Sequence, residues 1–211
     1  MKGEDSTMAD MIPNLESYFR ERVPEGDEIL KRLEKDAAAE GTPIVGPTVG
    51  ELLFILARVT GAERILELGT ATGYSAIHLA RGAEPTGGTV TTVESNPEMA
   101  ARARQTLGSA GLSDRVTVVE GSAESVLPTL SPPFDLVFLD IDKEGYLPAL
   151  AHCTPLTRPG GLLVADNVGF AAADPFNRAI FERPEWRAVS LLTLLPRHSP
   201  DWDGLCLAAR C

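Results

Sequence analysis

The stretch from residue 64 to residue 166 constrains the fold most, because short apolar segments alternate there with segments of helical periodicity. The apolar segments, which predict strands, are residues 64–68, 88–94, 115–121, 134–140 and 160–166. The segments between them that predict helices are residues 73–82, 96–111 and 145–157. Strands and helices that alternate in this way form a mainly parallel sheet covered by helices on both faces. Two more predicted strands, at residues 186–196 and 203–210, would finish the sheet as an antiparallel hairpin, so the predicted fold class is α/β with seven strands.

The segment before this alternation predicts helices rather than strands. Apolar residues recur at helical spacing over residues 13–40, with a break at residues 24–26. Residues 41–50 are rich in glycine and proline and predict a loop, and the apolar helix that follows is expected to end at Gly61. Residues 1–12 have no apolar pattern and are expected to fray.

Length and charge limit the organisation and the partners of this chain. A chain of 211 residues predicts a single domain over residues 1–211, in which residues 1–45 form an N-terminal helical cap or a dimer segment. The net charge of −11 disfavours a nucleic acid or an anionic membrane surface as partner. There is no signal-peptide pattern, no apolar run approaches the roughly 20 residues of a membrane helix, and the three cysteines form no motif. We therefore expect a cytoplasmic protein that binds neither nucleic acid nor membrane.

Acidic residues are predicted at the ends of four of these strands. They are Glu67, Glu94, Asp140 and Asp166. Ligands of open α/β sheets bind beyond the carboxyl ends of the strands, so these side chains are candidates for chemistry. Polar residues also resume wherever a buried strand ends, which leaves simple solvation open for each of them.

The first predicted strand ends in a glycine turn, in the sequence RILELGTATGYSA at residues 64–76. Gly69 and Gly73 are spaced G-x-x-x-G and lack the third glycine of a pyrophosphate-binding turn. Glu67 before the turn would repel an anion and suits an amino group, whereas Glu94 on the next strand could accept hydrogen bonds from both hydroxyls of a ribose. S-adenosylmethionine has an amino group, a sulfonium and a ribose but no pyrophosphate, and it fits this combination. Taken singly, each glycine could serve only the turn and each acid only solvation.

A second group of polar residues predicts a cation site. Asp140, Asp166 and Asn167 offer oxygen ligands only, a set that suits Mg²⁺, Mn²⁺ or Ca²⁺ better than zinc, although Asp166 and Asn167 could instead cap a turn. Lys143 follows Asp140 closely. Positive charge nearby favours the neutral form of a lysine, so Lys143 is a candidate base, the alternative being a solvated loop lysine.

These motifs together resemble a known family. The segments ILELGTATGYSAIHLA, TTVESNPEMAARAR, RVTVVEGSAESVLPTL, FDLVFLDIDKEGY, GGLLVADNV and DWDGLCLAAR are similar to successive motifs of class I S-adenosylmethionine-dependent O-methyltransferases, in the catechol and caffeoyl-CoA (bacterial-type family 3) group. The likeness extends over roughly residues 41–209. It implies a Rossmann-like methyltransferase fold, a small-molecule hydroxyl acceptor, a divalent cation, most commonly Mg²⁺, and a homodimer.

The resemblance also implies roles for individual residues. The implied cofactor-binding residues are Val45, Glu67, Gly69, Thr70, Gly73, Ser75, Glu94, Ser122, Ala123 and Asp140. Glu67 and Thr70 would lie along the methionine part, with Ser75 at its carboxylate. Glu94 would hold the ribose and Ala123 would border the adenine.

The same resemblance assigns the chemistry. Asp140, Asp166 and Asn167 would bind the metal, and Lys143 with Asp140 would form the catalytic set. The loop PIVGPTVG, which contains Val45, and the segment DNVGF depart from the usual family pattern. The chain is thus predicted to methylate one hydroxyl of a vicinal diol on an aromatic ring.

Two alternatives remain open from the sequence. The acceptor could be a different natural product, or the protein could bind S-adenosylmethionine without catalysis. The roles of Asp142, Tyr146 and His198 are not fixed by the sequence.

Overall fold

The computed structural model describes residues 10–211, so the expected fraying of residues 1–12 falls mostly outside the described residues. Its centre is a seven-stranded sheet of order β3-β2-β1-β4-β5-β7-β6. The strands are β1 (Arg64–Leu68), β2 (Thr89–Glu94), β3 (Val116–Glu120), β4 (Phe134–Leu139), β5 (Thr157–Ala165), β6 (Trp186–Leu194) and β7 (Trp202–Arg210). The α-helices are α1 (Leu15–Arg20), α2 (Glu28–Glu40), α3 (Gly46–Val59), α4 (Tyr74–Gly82), α5 (Pro97–Ser109), α6 (Ala123–Val126), α7 (Tyr146–Leu156) and α8 (Asp174–Glu182).

The predicted topology is confirmed. The first five strands pair in parallel, and β7 runs antiparallel between β5 and β6. The strand order reverses between β1 and β4, which are neighbours in the sheet although β2 and β3 separate them in the sequence. A crevice forms at such a reversal, beyond the carboxyl ends of the strands, and this is the usual ligand site of the fold.

Two apolar cores cover the two faces of the sheet. Side chains alternate along β1, so Ile65 packs into the core formed with α2 to α5, whereas Leu66 packs into the core formed with α7 and α8. Glu67 therefore projects towards the same face as Ile65. It is also the fourth residue of the five-residue β1, paired in register with Thr92 and Phe138, so the expectation that it stands at a strand end is wrong. The strand continues through Leu68 because both neighbouring strands extend that far.

The helix boundaries follow from local capping. Asp27 begins α2 by accepting hydrogen bonds from the backbone N–H groups of Ile29 and Leu30, and Asn96 caps α5 in the same way. Gly61 has φ 58°, the left-handed conformation that a glycine after a helix end adopts readily.

Two boundaries and two short helices differ from the prediction. Helix α3 begins at Gly46, within the predicted loop of residues 41–50, because Pro47 is tolerated in the first helical turn, where its missing N–H donor is not needed. Strand β5 begins at Thr157, earlier than predicted. The helices α6 and α8 are not among the predicted helices.

Cys153, Cys206 and Cys211 are all free thiols. Over residues 10–211, no helix has both the length and the apolar character that a membrane crossing would require.

Candidate active site

A cavity of about 690 Å³ opens at the carboxyl ends of the parallel strands. Its walls come from the turn after β1, the ends of β2, β4 and β5, the start of α3 and the loop between β6 and β7. Of the residues predicted from the sequence, those that line it are Val45, Gly69, Thr70, Ser75, Glu94, Ser122, Ala123, Asp140, Lys143, Asp166 and Asn167. Glu67 and Gly73 do not line it. The fold thus brings together residues that are far apart in the sequence, while the roles assigned to them stay predictions.

The glycine turn after β1 is shaped by its neighbours. Gly69 has φ 94°, and a Cβ at this position would lie 1.9 Å from the carbonyl oxygen of Asp140, so no larger residue fits. The carboxylate of Glu94 accepts hydrogen bonds from the backbone N–H groups of Thr70, at 3.1 Å, and Ala71, at 2.8 Å. Glu94 therefore holds the turn in place as well as facing the cavity.

Glu67 lies behind this turn and is fully buried. Neither of its carboxylate oxygens has a hydrogen-bond partner among the described residues. Burial raises the pKa of Glu67 to about 7, although the nearby hydroxyls of Ser75 and Thr92 oppose that rise. A buried carboxyl group without donors is costly to ionise, so Glu67 is the least satisfied acid of this region.

Lys143 and Asp140 form an ion pair at the floor of the cavity. Lys143 Nζ donates to Asp140 Oδ1 at 2.9 Å and to the carbonyl oxygen of Ile141 at 3.1 Å. Burial, and then the charge of Asp166, raise the pKa of Asp140. Asp166 therefore lies close enough to disfavour the ionised form of Asp140.

Tyr146, whose role the sequence leaves open, is a core residue rather than part of the cavity wall. Its side chain is fully buried, and its hydroxyl contacts the carbonyl oxygens of Leu139 at 3.1 Å and Asp166 at 2.8 Å. A single hydroxyl proton serves one of these acceptors at a time. Tyr146 thus bridges the ends of β4 and β5, where Asp140 and Asp166 emerge.

The loop between β6 and β7 brings His198 to Asp166, a contact that the sequence does not predict. His198 Nε2 lies 2.9 Å from Asp166 Oδ2, and His198 Nδ1 lies 2.8 Å from the carbonyl oxygen of Pro200. Burial lowers the pKa of His198, but the hydrogen bond with Asp166 and its charge outweigh burial, and the net pKa is raised. The only signal in the sequence is the polar run HSPDWD in a hairpin loop.

Asn167 follows Asp166 in the left-handed conformation, with φ 51°. Its Nδ2 donates to Asp203 Oδ2 at 2.6 Å, and its Oδ1 accepts no hydrogen bond from the described residues. Asp203 on β7 is a part of this region that the sequence does not predict.

The donor set fits a divalent cation that prefers oxygen. Within residues 10–211, no group of three or more His, Cys, Asp and Glu side chains is arranged to hold a metal, so any site here would use Asp140, Asp166 and the amide oxygen of Asn167. An Asp140 carboxylate whose ionised form is disfavoured by Asp166, beside an amide oxygen with no partner among the described residues, is what a hard cation would stabilise.

Comparisons with known proteins agree with this geometry. The family model described as O-methyltransferase matches residues 20–175. A catechol O-methyltransferase from Mycobacterium tuberculosis is 46% identical over 187 residues, which are 82% of this chain and 83% of that protein. A catechol O-methyltransferase from Niastella koreensis is 38% identical over 164 residues, 75% of this chain and 74% of the relative.

Solved structures support the same assignment. An O-methyltransferase from Bacillus cereus in complex with SAH has a TM-score of 0.84 at 31% identity, over 93% of this chain and 97% of that chain. The O-methyltransferase TomG from Streptomyces achromogenes, in complex with SAM, has a TM-score of 0.82 at 31% identity, over 93% and 95% of the two chains. With its Rossmann-like sheet and its cavity at the strand reversal, this chain belongs to the O-methyltransferase family and is an S-adenosylmethionine-dependent O-methyltransferase.

Proposed function

We propose that this O-methyltransferase requires a divalent cation and transfers the methyl group to one hydroxyl of a catechol-like small molecule. The observation that carries the proposal is the meeting of Lys143, Asp140, Asp166 and Asn167 on the wall of one cavity. The names of the M. tuberculosis and N. koreensis relatives support the catechol part.

The cofactor would occupy the part of the cavity beside the glycine turn. Glu94 Oε1 accepts a single hydrogen bond, from the backbone N–H of Asn96 at 2.8 Å, and so keeps a lone pair for a ribose hydroxyl. Ser75 would serve the methionine carboxylate, and Ser122 and Ala123 would border the adenine. Gly69 allows the backbone of the turn to lie close to the ligand. The Bacillus cereus and S. achromogenes structures, which hold SAH and SAM, support this placement.

The acceptor would bind at the other end, beside Lys143. A bound divalent cation there would make an acceptor hydroxyl more acidic. Lys143 would take the proton from that hydroxyl as the oxygen attacks the methyl carbon and the bond from carbon to sulfur breaks. Asp166 and Asn167 would keep the hydroxyl oriented by fixing the cation. Alignment of oxygen, carbon and sulfur would supply much of the remaining acceleration.

The charge of the cavity wall favours acceptors that are neutral or cationic. Its acidic residues are Glu94, Glu124, Asp140, Asp142, Glu144 and Asp166. Among its described wall residues there is no arginine, and the ammonium of Lys143 is paired with Asp140. With Asp140 and Asp166 engaged by the cation, Glu94, Glu124, Asp142 and Glu144 still leave the rest of the wall acidic, so a carboxylate or phosphate elsewhere on the acceptor would be repelled.

A natural product with a different hydroxyl remains a second candidate acceptor. The similarity to TomG, which is involved in tomaymycin synthesis, favours this candidate.

The N-terminal segment, residues 1–45, is proposed to cap the cofactor within a single domain over residues 1–211. Glu34 of α2 accepts a hydrogen bond from the Tyr74 hydroxyl at 2.8 Å and lies 3.3 Å from Arg197 in the loop between β6 and β7. Both Tyr74 and the residues following α2 reach the cavity wall. Truncation of residues 1–45 should therefore weaken S-adenosylmethionine binding, as measured by calorimetry.

A homodimer is also proposed. Strand β6 lies at the sheet edge, and Leu192 at 78% exposure and Leu191 at 47% expose apolar surface there. A solution mass equal to one chain would contradict the dimer, and Leu192→Glu should shift a dimer towards monomer.

The test of the main proposal is methyl transfer from S-adenosylmethionine to a panel of neutral, amine-bearing and carboxylate-bearing catechols, with Mg²⁺ or with a chelator. We expect turnover that needs the metal and that is slowest for the carboxylates. Lys143→Met should reduce kcat by about 10²- to 10⁴-fold while S-adenosylmethionine binding persists. Lys35→Met, at an exposed position on α2, is the matched control and should retain activity. Full activity of a folded Lys143→Met variant would refute the role of Lys143, and turnover unaffected by the chelator would refute the metal.

A further inference from the structure

Asn167 and Asp203 form a buried pair whose donors and acceptors are fully determined. Asn167 Nδ2 donates to Asp203 Oδ2 at 2.6 Å and makes a longer contact, at 3.4 Å, with the carbonyl oxygen of Ser199. An ionised carboxylate can only accept hydrogen bonds, so the nitrogen of the Asn167 amide has to face Asp203. The amide oxygen of Asn167 is then directed away from Asp203 and is free of other partners among the described residues.

Asp203 is itself held in one orientation. Its Oδ1 accepts from the backbone N–H groups of Gly169 at 3.2 Å and Gly204 at 2.6 Å. The side chain is 3% exposed and does not line the cavity, so it has no direct route to cofactor or acceptor. All three groups that face its carboxylate are donors.

Two glycines, Gly169 and Gly204, allow the backbone segments around Asp203 to approach each other closely. A Cβ at Gly169 would lie 2.6 Å from Asp203 Oδ1, and a Cβ at Gly204 would lie 2.8 Å from a methyl group of Val168. A side chain at position 169 would therefore push the Asp203 carboxylate aside, and one at position 204 would displace Val168. The backbone N–H of Val168 also donates to the carbonyl oxygen of Gly204 at 3.0 Å, which fastens the segment after β5 to β7.

We infer that Asp203 is a positioning residue, which turns the amide of Asn167 so that oxygen rather than nitrogen is presented to a divalent cation. The inference rests on the proposed metal dependence. An asparagine presents either its amide oxygen or its amide nitrogen, according to which way the amide is turned. A residue on β7 would thus fix the orientation of the proposed metal-binding residue that follows β5. Partners of this kind behind metal ligands typically change metal affinity by about 10- to 100-fold.

The pair offers a reciprocal swap as its test. In Asp203→Asn the new amide cannot accept from all three donors, because one of its own two positions is now a donor. Only the longer contact with the carbonyl oxygen of Ser199 is then left to orient Asn167. In Asn167→Asp two carboxylates face each other. In the double variant Asn167→Asp with Asp203→Asn, the amide introduced on β7 can donate to the carboxylate introduced after β5 and accept from both glycine N–H groups. The hydrogen-bond pattern is thereby restored.

The experiment is calorimetric titration of the metal-free, folded proteins with Mn²⁺, supported by thermal melts without metal. Asp203→Asn should bind Mn²⁺ about tenfold more weakly than the wild type, and the swap should recover to within about threefold. Asn167→Asp should bind more weakly than the swap. Asp174→Asn removes the same charge at an exposed position outside the cavity and should bind like the wild type.

A purely electrostatic role for Asp203 gives a different order. The wild type and the swap carry equal charge, and Asn167→Asp, which has one more negative charge, would then bind Mn²⁺ most tightly. That order, or wild-type affinity in Asp203→Asn, would overturn the inference and leave the metal dependence intact. Absence of Mn²⁺ binding by the wild type would instead refute the proposed metal dependence, and the inference with it. If Asp203→Asn does not fold, the comparison of Asn167→Asp with the swap decides the question, because both carry the same ligand.

Discussion

Glu67→Gln should change how the stability of this protein depends on pH. Glu67 is fully buried, and its carboxylate oxygens have no hydrogen-bond partner among the described residues. Burial raises its pKa from 4.5 to about 7, so the folded state holds this proton over a pH range in which the unfolded state has released it. Stability that the protonated group contributes is fully present below the unfolded pKa and is lost as the pH rises through the folded pKa.

The magnitude follows from the two pKa values. From about pH 5 upwards the unfolded carboxyl is mostly ionised, whereas the folded one keeps most of its proton until the pH approaches its raised pKa. Between about pH 5 and about pH 8 this difference amounts to about 2 to 3 kcal/mol of lost stability, at 1.36 kcal/mol per pKa unit. The wild type should therefore lose that much more free energy of unfolding over this range than Glu67→Gln. The absolute stability of the variant is not the test, since a buried amide has its own cost.

The assay is urea unfolding of the cofactor-free proteins at both pH values, followed by circular dichroism. Other titrating groups are common to both proteins and cancel in the difference. Glu182→Gln, which alters an exposed glutamate at the end of α8, is the control and should follow the wild type. Equal pH dependence in the wild type and Glu67→Gln would show that Glu67 ionises in the folded protein as it does in water, and the reasoning from burial would be wrong.

Two further predictions can be tested on the same preparations. Asp135 accepts hydrogen bonds from the backbone N–H groups of Glu63 at 2.9 Å and Arg64 at 2.8 Å, and it pairs with Arg158. Partial burial raises the pKa of Asp135, but these three partners outweigh burial and the net pKa is lowered. Asp135→Asn should therefore lower the free energy of unfolding by about 1 to 3 kcal/mol near neutral pH, as measured in urea. This difference from the wild type should shrink as the pH falls through the lowered pKa of Asp135. A difference that stays constant down to acid pH would contradict the ionic contribution. Asp142 is exposed on the cavity wall and faces no cationic partner among the described residues. Asp142→Lys should therefore lower the KM of carboxylate-bearing catechols relative to that of amine-bearing catechols. An unchanged ratio of the two kcat/KM values would exclude charge selection at this wall.

The order of the strands and the identity of the site could be predicted because both depend on patterns that repeat along the chain. Apolar strands and amphipathic helices follow one another with clear glycine and proline boundaries, and Asp140 and Asp166 emerge where β4 and β5 end. Parallel topology then brings these residues to one edge whatever the details of packing.

What the sequence could not show are contacts that depend on side-chain direction and on distant segments. The sequence predicts β1 over residues 64–68, but not that Glu67, one residue before its end, is buried behind the turn and does not line the cavity. His198 and Asp203 reach Asp166 and Asn167 across the sheet only because β7 returns antiparallel beside β5. The register between β5 and β7 cannot be predicted from the periodicity of either strand. A single histidine in a polar loop also has many possible partners.

The antiparallel return of β7 also sets an order in time. A chain made from its N-terminus presents Asp140, Asp166 and Asn167 well before residues 198–203 have emerged. Until β7 inserts between β5 and β6, Asp166 and Asn167 have neither His198 nor Asp203 beside them. A nascent chain halted before β7 could thus form its parallel strands and still bind a divalent cation weakly. Tight cation binding would then indicate that the last strand of the sheet has been added.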